Sequence, residues 1–529
     1  MPLYLGLDAS TQGLTLQAID VESDIARLVF EHTTSFDRDL DSYGTRHGIL
    51  VSDDPRVAVA PPLMWADGLD RAMAAFAKSR FDVSRVAAIS GSAQQHGSVY
   101  LNGTAAAALE ALDPARPLVD QIGGIFARAT SPVWLDSSTS EECREITEML
   151  GGATDVARLT GSRAFERFTA AQIRRFFKHD ADAYRRTARV HLVSSFLASL
   201  LVGRDAPLEP GDASGMNLMN LARGSWAPRA LAATAPDLAA KLPPIVPSFT
   251  IAGALAPFWR ARYGFSAAQV AVWSGDNPCS LIGTGLVDEG RIAISLGTSD
   301  TLFGLMGAPR IDMTGTGHVF GAPTGAFMGL TVFSNGSLTR ERVRDAYGLD
   351  WPGFSAALAS TPPGNDEALL LPWFVPEITP NVPAPAVRRR RLDAADGPRN
   401  VRAVVEAQMM AMANHSTWMD VTIHTIHATG GASANREILQ IMADVFGADV
   451  YQFSVGNSAC LGAALRAWHA DARSRGREIP WLTIVRDIAE PTAASRVTPV
   501  PERVALYANL RRHYADFERD ELALLAHAK

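Results

Sequence analysis

Short apolar segments that run into polar, glycine-containing turns alternate with amphipathic segments along the chain, and this pattern predicts an α/β protein. Near the N-terminus, the apolar segment 4–7 leads into the turn 8–13 and then into a second apolar segment, 14–19. The segment 291–303 repeats this plan in the second half of the chain. Two hairpins of the same design, one early in each half, predict a duplicated domain with a nucleotide bound between the halves.

The length of the chain agrees with a division into two domains. At 529 residues it exceeds the size at which a single hydrophobic core usually splits, and we expect domains at 1–286 and 287–529. Hydrophobic residues make up 47% and charged residues 20% of the chain, as in an ordinary soluble globular protein. The formal net charge of -7 argues against nucleic acid as a partner, because a nucleic-acid binder should present a basic surface.

Cysteine usage and the absence of several motifs narrow the class further. Cys143, Cys279 and Cys460 are widely spaced and form neither a disulfide framework nor a metal cluster, which favours a reducing compartment and a cytoplasmic location. The N-terminus lacks the features of a signal peptide, and no apolar run is long enough to span a bilayer, so we expect no membrane association. The sequence also lacks a P-loop, a serine-hydrolase elbow and zinc-ligand spacings.

Asp276 is the strongest candidate for a catalytic residue. It follows the apolar run 270–273 and precedes Asn277 and Pro278, and a proline at this position suits the first turn of a helix. A carboxylate between the end of a strand and a helix N-terminus lies where α/β proteins usually bind ligands. Asp276 can therefore accept a proton from a substrate hydroxyl, as in phosphoryl transfer. The alternative is that it only caps the helix.

Two glycine-containing turns are candidates for phosphate and nucleotide binding. The turn 8–13 offers backbone N–H groups and hydroxyls that can cradle phosphate oxygens, and Asp8 can hold a magnesium ion directly or through water. The alternative for this turn is a plain β-hairpin. Gly430 and Gly431 lie between an apolar run and a helix that begins at Arg436, and paired glycines there let a nucleotide approach the backbone closely.

Other polar segments suit recognition of a ligand with many hydroxyl groups. Gln94, Gln95 and His96 form a dense set of donors and acceptors beside glycines, although a structural histidine is an equal alternative. Trp134 can lie against a sugar face, but a place in the core is favoured. Arg167 lies in a loop and can bind a hydroxyl or a phosphate, or pair with an acidic neighbour.

Two further segments are predicted to be loops. The segment 208–219 is rich in Gly and Asp and is predicted to be a loop near the cleft. The segment 381–398 is rich in Pro and Arg, including Arg388 to Arg391. An exposed loop is the favoured interpretation of this segment, and contact with an anionic ligand is the alternative.

The motifs together, in this order, resemble the FGGY carbohydrate kinases over nearly the whole chain. They are the segments 8–13, 91–100, 274–285 and 295–299, and the Gly430-Gly431 turn with Asn435. Within the family, the segments 91–100, 160–169 and 274–278 are most similar to the eukaryotic type of xylulose kinase. Bacterial-type members usually have Gln-Met-His-Gly where this chain has Gln94-Gln95-His96-Gly97.

The resemblance implies two actin-like, ribonuclease-H-like ATPase domains with an interdomain cleft, the first binding sugar and the second nucleotide. It implies that ATP and Mg²⁺ are used to phosphorylate the terminal hydroxyl of D-xylulose, giving D-xylulose 5-phosphate and ADP. The alternatives are a kinase for another ketose or a polyol, such as ribulose, and an actin-like ATPase or sugar sensor. For the oligomeric state, a monomer and a homodimer are both open.

The resemblance also implies roles for individual residues. The positions that match sugar-binding residues are His96, Arg167, Asp276 and Asn277, with Asp276 as the catalytic base. The positions that match nucleotide-binding residues are Thr11, Gln12, Thr298, Trp351, Gly430, Gly431 and Asn435. Asp8 matches the magnesium position.

Overall fold

The chain folds into two compact units in a computed structural model that describes residues 1–453 and 456–527. The first unit comprises Met1–Val287, Val319–Met328 and the described residues of 455–490. The second comprises Asp288–His318 and the described residues of 329–454 and 491–529. The first unit therefore takes in two segments from beyond residue 286. Residues 454, 455, 528 and 529, which fall in the second domain of the sequence-based division, lie outside the described residues.

The strands of the two units include both long sheet strands and short pairs. In chain order they are β1 Leu3–Ala9, β2 Gly13–Glu22, β3 Ile25–Ser35, β4 Thr45–Arg46, β5 Ile49–Leu50, β6 Val59–Ala60, β7 Val86–Ala93, β8 Ser98–Asn102, β9 Ser131–Pro132, β10 Thr187–Leu192, β11 Met219–Asn220, β12 Ser225–Trp226, β13 Ile251–Ala254, β14 Gln269–Ala271, β15 Ser274–Gly275, β16 Arg291–Leu296, β17 Asp300–Met306, β18 His318–Gly321, β19 Phe327–Phe333, β20 Leu369–Leu371, β21 Arg388–Arg390, β22 Thr425–Thr429, β23 Asp449–Gln452 and β24 Arg496–Val497.

The helices lie between these strands along the chain. They are α1 Phe36–Asp39, α2 Pro62–Ala77, α3 Ala105–Glu110, α4 Val119–Ile122, α5 Ser140–Leu150, α6 Ala153–Thr160, α7 Thr169–His179, α8 Ala181–Arg186, α9 Val193–Val202, α10 Pro210–Ser214, α11 Pro228–Thr234, α12 Leu238–Lys241, α13 Pro257–Tyr263, α14 Asp276–Gly283, α15 Ser337–Ala346, α16 Trp351–Ser360, α17 Gly397–His415, α18 Arg436–Phe446, α19 Ser458–Ser474, α20 Trp481–Val485 and α21 Pro501–His527. In the part of the chain that is described, no helix combines the length and the apolarity needed to cross a membrane.

Each unit is built on a mixed sheet, and the two sheets share one plan. In the first unit the order is β13-β14-β7-β1-β2-β3, with β15 also beside β7. Strand β1 pairs antiparallel with β2 and parallel with β7. In the second unit, the order β19-β17-β16-β22-β23-β24 places an antiparallel hairpin partner on one side of β16 and the parallel strand β22 on the other. The prediction of an α/β protein with a repeated hairpin plan is confirmed.

Helix α19 packs against the sheet of the first unit and against α14. At both contacts the backbones approach each other closely at glycine residues. A Cβ atom on Gly283 of α14 would lie 1.9 Å from the carbonyl oxygen of Ser458, and one on Gly462 would lie 1.9 Å from that of Cys279. A Cβ atom on Gly6 of β1 would lie 2.2 Å from the carbonyl oxygen of Cys460. Only glycine permits such close approach. These contacts hold α14, the helix that begins at Asp276, firmly on the core of the first unit.

Within the segment 381–398, Arg388–Arg390 forms a strand in the second unit, so the prediction of a loop is wrong for these three residues. The residues around it, 381–387 and 391–396, are mostly exposed and outside helices and strands, as predicted. Strand β21 pairs antiparallel with the buried strand β20. Arg388 forms an ion pair with Glu521 at 3.0 Å, and Arg390 forms one with Asp520 at 3.4 Å. The guanidinium of Arg390 also lies 4.2 Å from the ring centroid of Phe517. This strand therefore binds the C-terminal helix α21.

Candidate active site

Parallel strands of the first unit end at one edge of the sheet and bring three candidate residues to that edge. Asp8 of β1 lies in register with Ser92 of β7, and Ser274 of β15 lies in register with Ser92 from the other side. His96 follows the end of β7 by three residues, and Asp276 follows β15 directly. Because the carboxyl ends of parallel strands meet at the same edge, this is where an α/β sheet usually binds its ligand.

Asp276 is the first residue of α14 and a partly buried carboxylate. The N-cap of this helix is Gly275, so the interpretation of Asp276 as the cap is wrong. Its Oδ1 accepts hydrogen bonds from the backbone N–H of Asn277 at 2.8 Å and from the side-chain amide of Asn277 at 3.1 Å. Burial, and next the charge of Asp8, raises the pKa of Asp276 to about 7. A carboxylate with such a pKa can take up a proton near neutral pH.

Asn277 is held by Gln95, a residue that the sequence placed in a polar motif but not among the site residues. The Asn277 amide donates to Gln95 Oε1 at 2.8 Å, and Gln95 Nε2 donates to the carbonyl oxygen of Gly211 at 3.1 Å. A Cβ atom on Gly215 would lie 2.8 Å from Gln95 Nε2, so a side chain at this position would displace the amide. Gln95 therefore fixes the orientation of Asn277.

His96 lies in the same site, and its ring is neutral and has a defined tautomer. Its Nδ1 is 2.7 Å from the carbonyl oxygen of Gly215, and a carbonyl can only accept, so Nδ1 carries the proton. Nε2 is then an acceptor. Burial lowers the pKa of His96 to about 3, and the charge of Arg167 lowers it further. The ring stacks on Phe168 at a centroid distance of 4.2 Å.

Arg167 lies beside this histidine in an aromatic cluster. Its guanidinium is 5.4 Å from the ring centroid of Phe165 and 5.9 Å from that of Phe168. Burial lowers the pKa of Arg167. The structure thus brings Asp8, His96, Arg167, Asp276 and Asn277 together in the first unit, although they come from four separate places over 270 residues of chain.

The turn after β1 carries Thr11 and Gln12, and Trp134 is attached to it. Trp134 is 41% exposed, and its indole Nε1 donates to Thr11 Oγ1 at 2.8 Å. The expectation that Trp134 lies in the core is therefore wrong. The indole N–H of Trp134 stabilises the turn through Thr11, and the side chain remains partly accessible to solvent. Gln12 is exposed in the same turn.

In the second unit, two turns that are candidates for nucleotide binding meet at one sheet edge. Strands β16 and β22 are parallel, with Ser295 opposite Thr429. Thr298 is exposed in the turn after β16, and Gly430 and Gly431 follow β22 directly. Gly430 has a φ of 84°, and a Cβ atom on it would lie 2.5 Å from the carbonyl oxygen of Leu296. Gly430 therefore allows the two turns to approach each other.

Trp351 and Asn435 are linked through Ser355 in the same unit. Asn435 is the N-cap of α18, and its Oδ1 accepts from the backbone N–H of Glu437 at 3.0 Å. Its amide donates to Ser355 Oγ at 2.8 Å. Ser355 lies one turn after Trp351 in α16, and Trp351 as a residue is 42% exposed. This group presents an aromatic face and a fixed amide beside the glycine turn.

Models of the FGGY family of carbohydrate kinases match both parts of the chain. The N-terminal domain model matches residues 119–283, and the C-terminal domain model matches residues 292–470. The chain belongs to the FGGY family of carbohydrate kinases. The family predicted from the motifs is confirmed, and with it an enzyme of the sugar kinase class.

Relatives of this FGGY chain align over most of its length. Xylulose kinase from Rattus norvegicus is 41% identical over 525 residues, covering 97% of this chain and 96% of its own. Xylulose kinase 2 from Arabidopsis thaliana is 39% identical over 491 residues, covering 88% and 87%. A solved structure described as a xyloylose kinase from Brucella ovis has a TM-score of 0.81 at 22% identity, covering 99% and 100%. The solved structure supports the two-domain FGGY kinase fold alone.

The site also contains a buried acidic residue, Asp212, that sequence reasoning missed. Asp212, in the short helix α10 where a loop was predicted, accepts a hydrogen bond from Ser194 through Oδ2. Its Oδ1 is buried and has no hydrogen-bond partner among the described residues. Burial raises the pKa of Asp212 to about 8, and the charges of Glu209 and Asp276 add to this. The only sequence signal was the Gly- and Asp-rich composition of the segment.

A buried ion pair behind the Thr298 turn was missed as well. Asp300 opens β17 directly after this turn, and both of its oxygens bind the guanidinium of Arg340, at 2.7 and 3.0 Å. The backbone N–H of Ser337 donates to the carbonyl oxygen of Gly297 at 2.8 Å. Removing one partner of a buried, hydrogen-bonded pair is strongly destabilising. The pair therefore stabilises the start of β17, directly after the Thr298 turn.

Proposed function

We propose that the protein transfers the terminal phosphoryl group of ATP to the terminal hydroxyl of D-xylulose, giving D-xylulose 5-phosphate and ADP. The observation that carries this proposal is the partly buried carboxylate of Asp276, whose pKa is raised to about 7 and which lies at the ligand-binding edge of a sheet beside His96 and Asn277. The choice of sugar rests on the curated relatives at 41% and 39% identity, both named as xylulose kinases.

In this proposal the first unit binds the sugar and Asp276 is the base. The N–H groups of Asn277 donate to Oδ1 of Asp276. The other carboxylate oxygen, Oδ2, is therefore the atom that accepts the proton of the terminal hydroxyl. Removing this proton as the bond to phosphorus forms is worth on the order of 10²–10⁴ in rate. Holding the hydroxyl in line with the phosphorus contributes the larger share of the acceleration.

Neutral acceptors and one charged donor would orient the remaining hydroxyl groups. His96 Nε2 and the amide oxygen of Asn277 accept from hydroxyls, and Arg167 donates to them. Gln94 is a further candidate, because its amide nitrogen and oxygen are both buried without a hydrogen-bond partner in the described part of the chain. A site built to hydrogen-bond several hydroxyls rejects analogues that lack one, since its own groups are then left unpaired.

The second unit would bind ATP. The exposed face of Trp351 can lie against the adenine ring, and Asn435 and the Gly430-Gly431 turn can contact the nucleoside. The phosphates would meet the hydroxyl-rich turns that carry Thr298, and Thr11 with Gln12. Backbone N–H groups of such turns stabilise negative charge on the transferred group without needing to reorganise.

The residues present fit a magnesium ion at Asp8. Its Oδ1 is buried and has no hydrogen-bond partner among the residues that are described, and burial raises the pKa of Asp8 to about 6. Carboxylate oxygen is a preferred ligand of Mg²⁺, which is usually held by one or two carboxylates together with substrate phosphates. When bound, the ion would neutralise charge on the phosphates. Cys143, Cys279 and Cys460 are free thiols, which supports a cytoplasmic location for this reaction.

A panel of sugars tests the proposal. Purified protein with ATP and Mg²⁺ is given D-xylulose, D-ribulose, L-xylulose, glycerol and D-glucose, and ADP release is coupled to NADH oxidation. We expect D-xylulose to give the highest kcat/KM and the blank without sugar to give almost no ADP. A higher kcat/KM with another sugar would identify that sugar as the substrate in place of D-xylulose. Equal ADP release with and without sugar would contradict the proposed kinase activity.

A further inference from the structure

The first unit contains a cavity of about 720 Å³, formed by residues of the segments 210–224, 245–249, 321–327 and 469–481. Its lining contains none of the residues assigned above to sugar, nucleotide or metal, as far as the described chain extends. A volume of about 300–1,000 Å³ is typical of sites for small molecules. The cavity is therefore large enough for a ligand and separate from the candidate active site.

Two partly accessible aromatic residues, Phe249 and Trp481, line this cavity. Phe249 is 38% exposed, and the guanidinium of Arg473 lies 4.2 Å from its ring centroid. Trp481 stacks on His469 at a centroid distance of 4.1 Å with an interplanar angle of 29°. Large aromatic surface left accessible in a concave wall is typical of a ligand site, because a flat molecule there buries apolar area on both faces.

The charged groups of the lining favour an anion. Arg223 and Arg473 are positive and Glu478 is negative, and Glu478 lies 3.2 Å from Arg473. Burial lowers the pKa of His469 to about 4, and the charge of Arg473 adds to this, so the ring is neutral at physiological pH. One net positive charge remains on the walls. A ligand with one negative charge and a flat ring complements both the charge and the aromatic faces.

The cavity is connected to Asp276 by a short chain of hydrogen bonds. Ser248 lines the cavity and donates to Glu209 Oε2 at 2.6 Å. The other oxygen of Glu209 accepts from Ser274 Oγ, two residues before Asp276. Pro210, next to Glu209 in the chain, is also part of the cavity wall. A ligand that moves Ser248 or Pro210 therefore moves the carboxylate that holds the strand leading into Asp276.

We propose that this cavity is an effector site for a small organic anion with a flat ring, and that its occupation is transmitted to Asp276 through Ser248 and Glu209. Binding does not depend on the proposed reaction. It can therefore be tested whether or not the protein phosphorylates xylulose. Transmission rests on the proposed role of Asp276 and is tested separately.

Binding is tested with 8-anilinonaphthalene-1-sulfonate, a flat-ringed monoanion whose fluorescence rises on binding. The full chain is titrated with and without saturating ATP, Mg²⁺ and D-xylulose. We expect one binding site whose affinity is lowered at least about tenfold by Arg473→Ala and by Trp481→Leu. Arg475→Ala is the matched control, because Arg475 lies two residues away on the same helix end, pairs with Asp471 and does not line the cavity.

Two outcomes of the titration would overturn the site. If Arg473→Ala and Trp481→Leu bind the probe as tightly as the Arg475→Ala protein, the cavity is not where it binds. If ATP and D-xylulose displace the probe, it occupies the catalytic site. Circular dichroism of each variant checks that the fold is retained, and the two cavity variants test the same claim independently.

Transmission is tested by measuring turnover while the probe is titrated. We expect kcat to change at least about twofold, with the same midpoint as binding, because a coupling free energy links the two sites. Ser248→Ala removes the hydrogen bond to Glu209. We expect this variant to bind the probe as the unmodified protein does, but its kcat should no longer change when the probe binds. An unchanged kcat in the unmodified protein at saturating probe, or an undiminished effect in Ser248→Ala, would overturn transmission.

Discussion

Asn277 donates its side-chain amide to Gln95 Oε1 at 2.8 Å, which ties the first turn of α14 to the segment after β7. The same amide nitrogen is 3.1 Å from Asp276 Oδ1. Both N–H groups of the Asn277 amide are thus engaged within the protein. Its oxygen is the atom that we propose contacts a substrate hydroxyl, and its orientation is set by Gln95.

Replacing Gln95 should weaken sugar binding more than nucleotide binding. Gln95→Met keeps the volume of the side chain but removes the acceptor that orients Asn277, so the amide can rotate. We expect KM for the sugar to rise at least about tenfold while KM for ATP stays within about twofold. Gln121→Met, in the short helix α4, is the control, because its amide bonds only to neighbouring residues of the segment 113–117. Equal increases in the two KM values would argue against a role in sugar orientation.

Removing the carboxylate of Asp276 should affect catalysis and spare binding. Asp276→Asn retains the shape and an acceptor for the N–H groups of Asn277 but cannot take up the proton of a hydroxyl. We expect turnover to fall at least about a hundredfold, with little change in sugar and ATP binding measured by calorimetry. Near-normal turnover in this variant would reject Asp276 as the base.

Ser355 should influence the nucleotide through Asn435. Ser355→Ala removes the partner of the Asn435 amide and leaves the Oδ1 cap of α18 intact. We expect KM for ATP to rise at least about threefold while KM for the sugar is unchanged. Ser360→Ala in the same helix is the matched control, since that hydroxyl bonds to the backbone of its own helix. A change in the sugar KM instead would contradict nucleotide binding at this group.

Asp212 should make the protein less stable as the pH rises. Burial raises the pKa of Asp212 to about 8, so the folded protein keeps a proton on this carboxyl. The unfolded chain loses that proton near pH 4, at about the ordinary pKa of aspartate. Unfolding therefore releases a proton at intermediate pH, and raising the pH between about 4 and 8 favours the unfolded chain.

Asp212→Asn removes this dependence, because the amide is neutral in both states. We expect its melting temperature to exceed that of the unmodified protein, with a difference that grows between about pH 5 and pH 8 in thermal melts. Asp182→Asn, on an exposed surface of α8, should show no such growth. A difference that stays constant or shrinks with rising pH would contradict a buried, protonated Asp212.

The sequence alone was sufficient for the parts of this protein that depend on local patterns. The apolar runs predicted the sheet strands and the two hairpins, and the order of the turns predicted the family. The same motifs led to Asp276, His96 and Asn277, which lie together in the first unit. Strand periodicity and turn composition are local, because each depends on residues a few positions apart.

Only the tertiary structure showed which side chains hold these residues in place. Gln95 meets Asn277 across 182 positions, and Glu209 meets Ser274 across 65. Trp134 looked like a core residue until Thr11 was seen to bind its indole N–H. Burial, pKa and hydrogen-bond partners are properties of the packed environment, which distant segments create. No periodicity in the sequence carries that information.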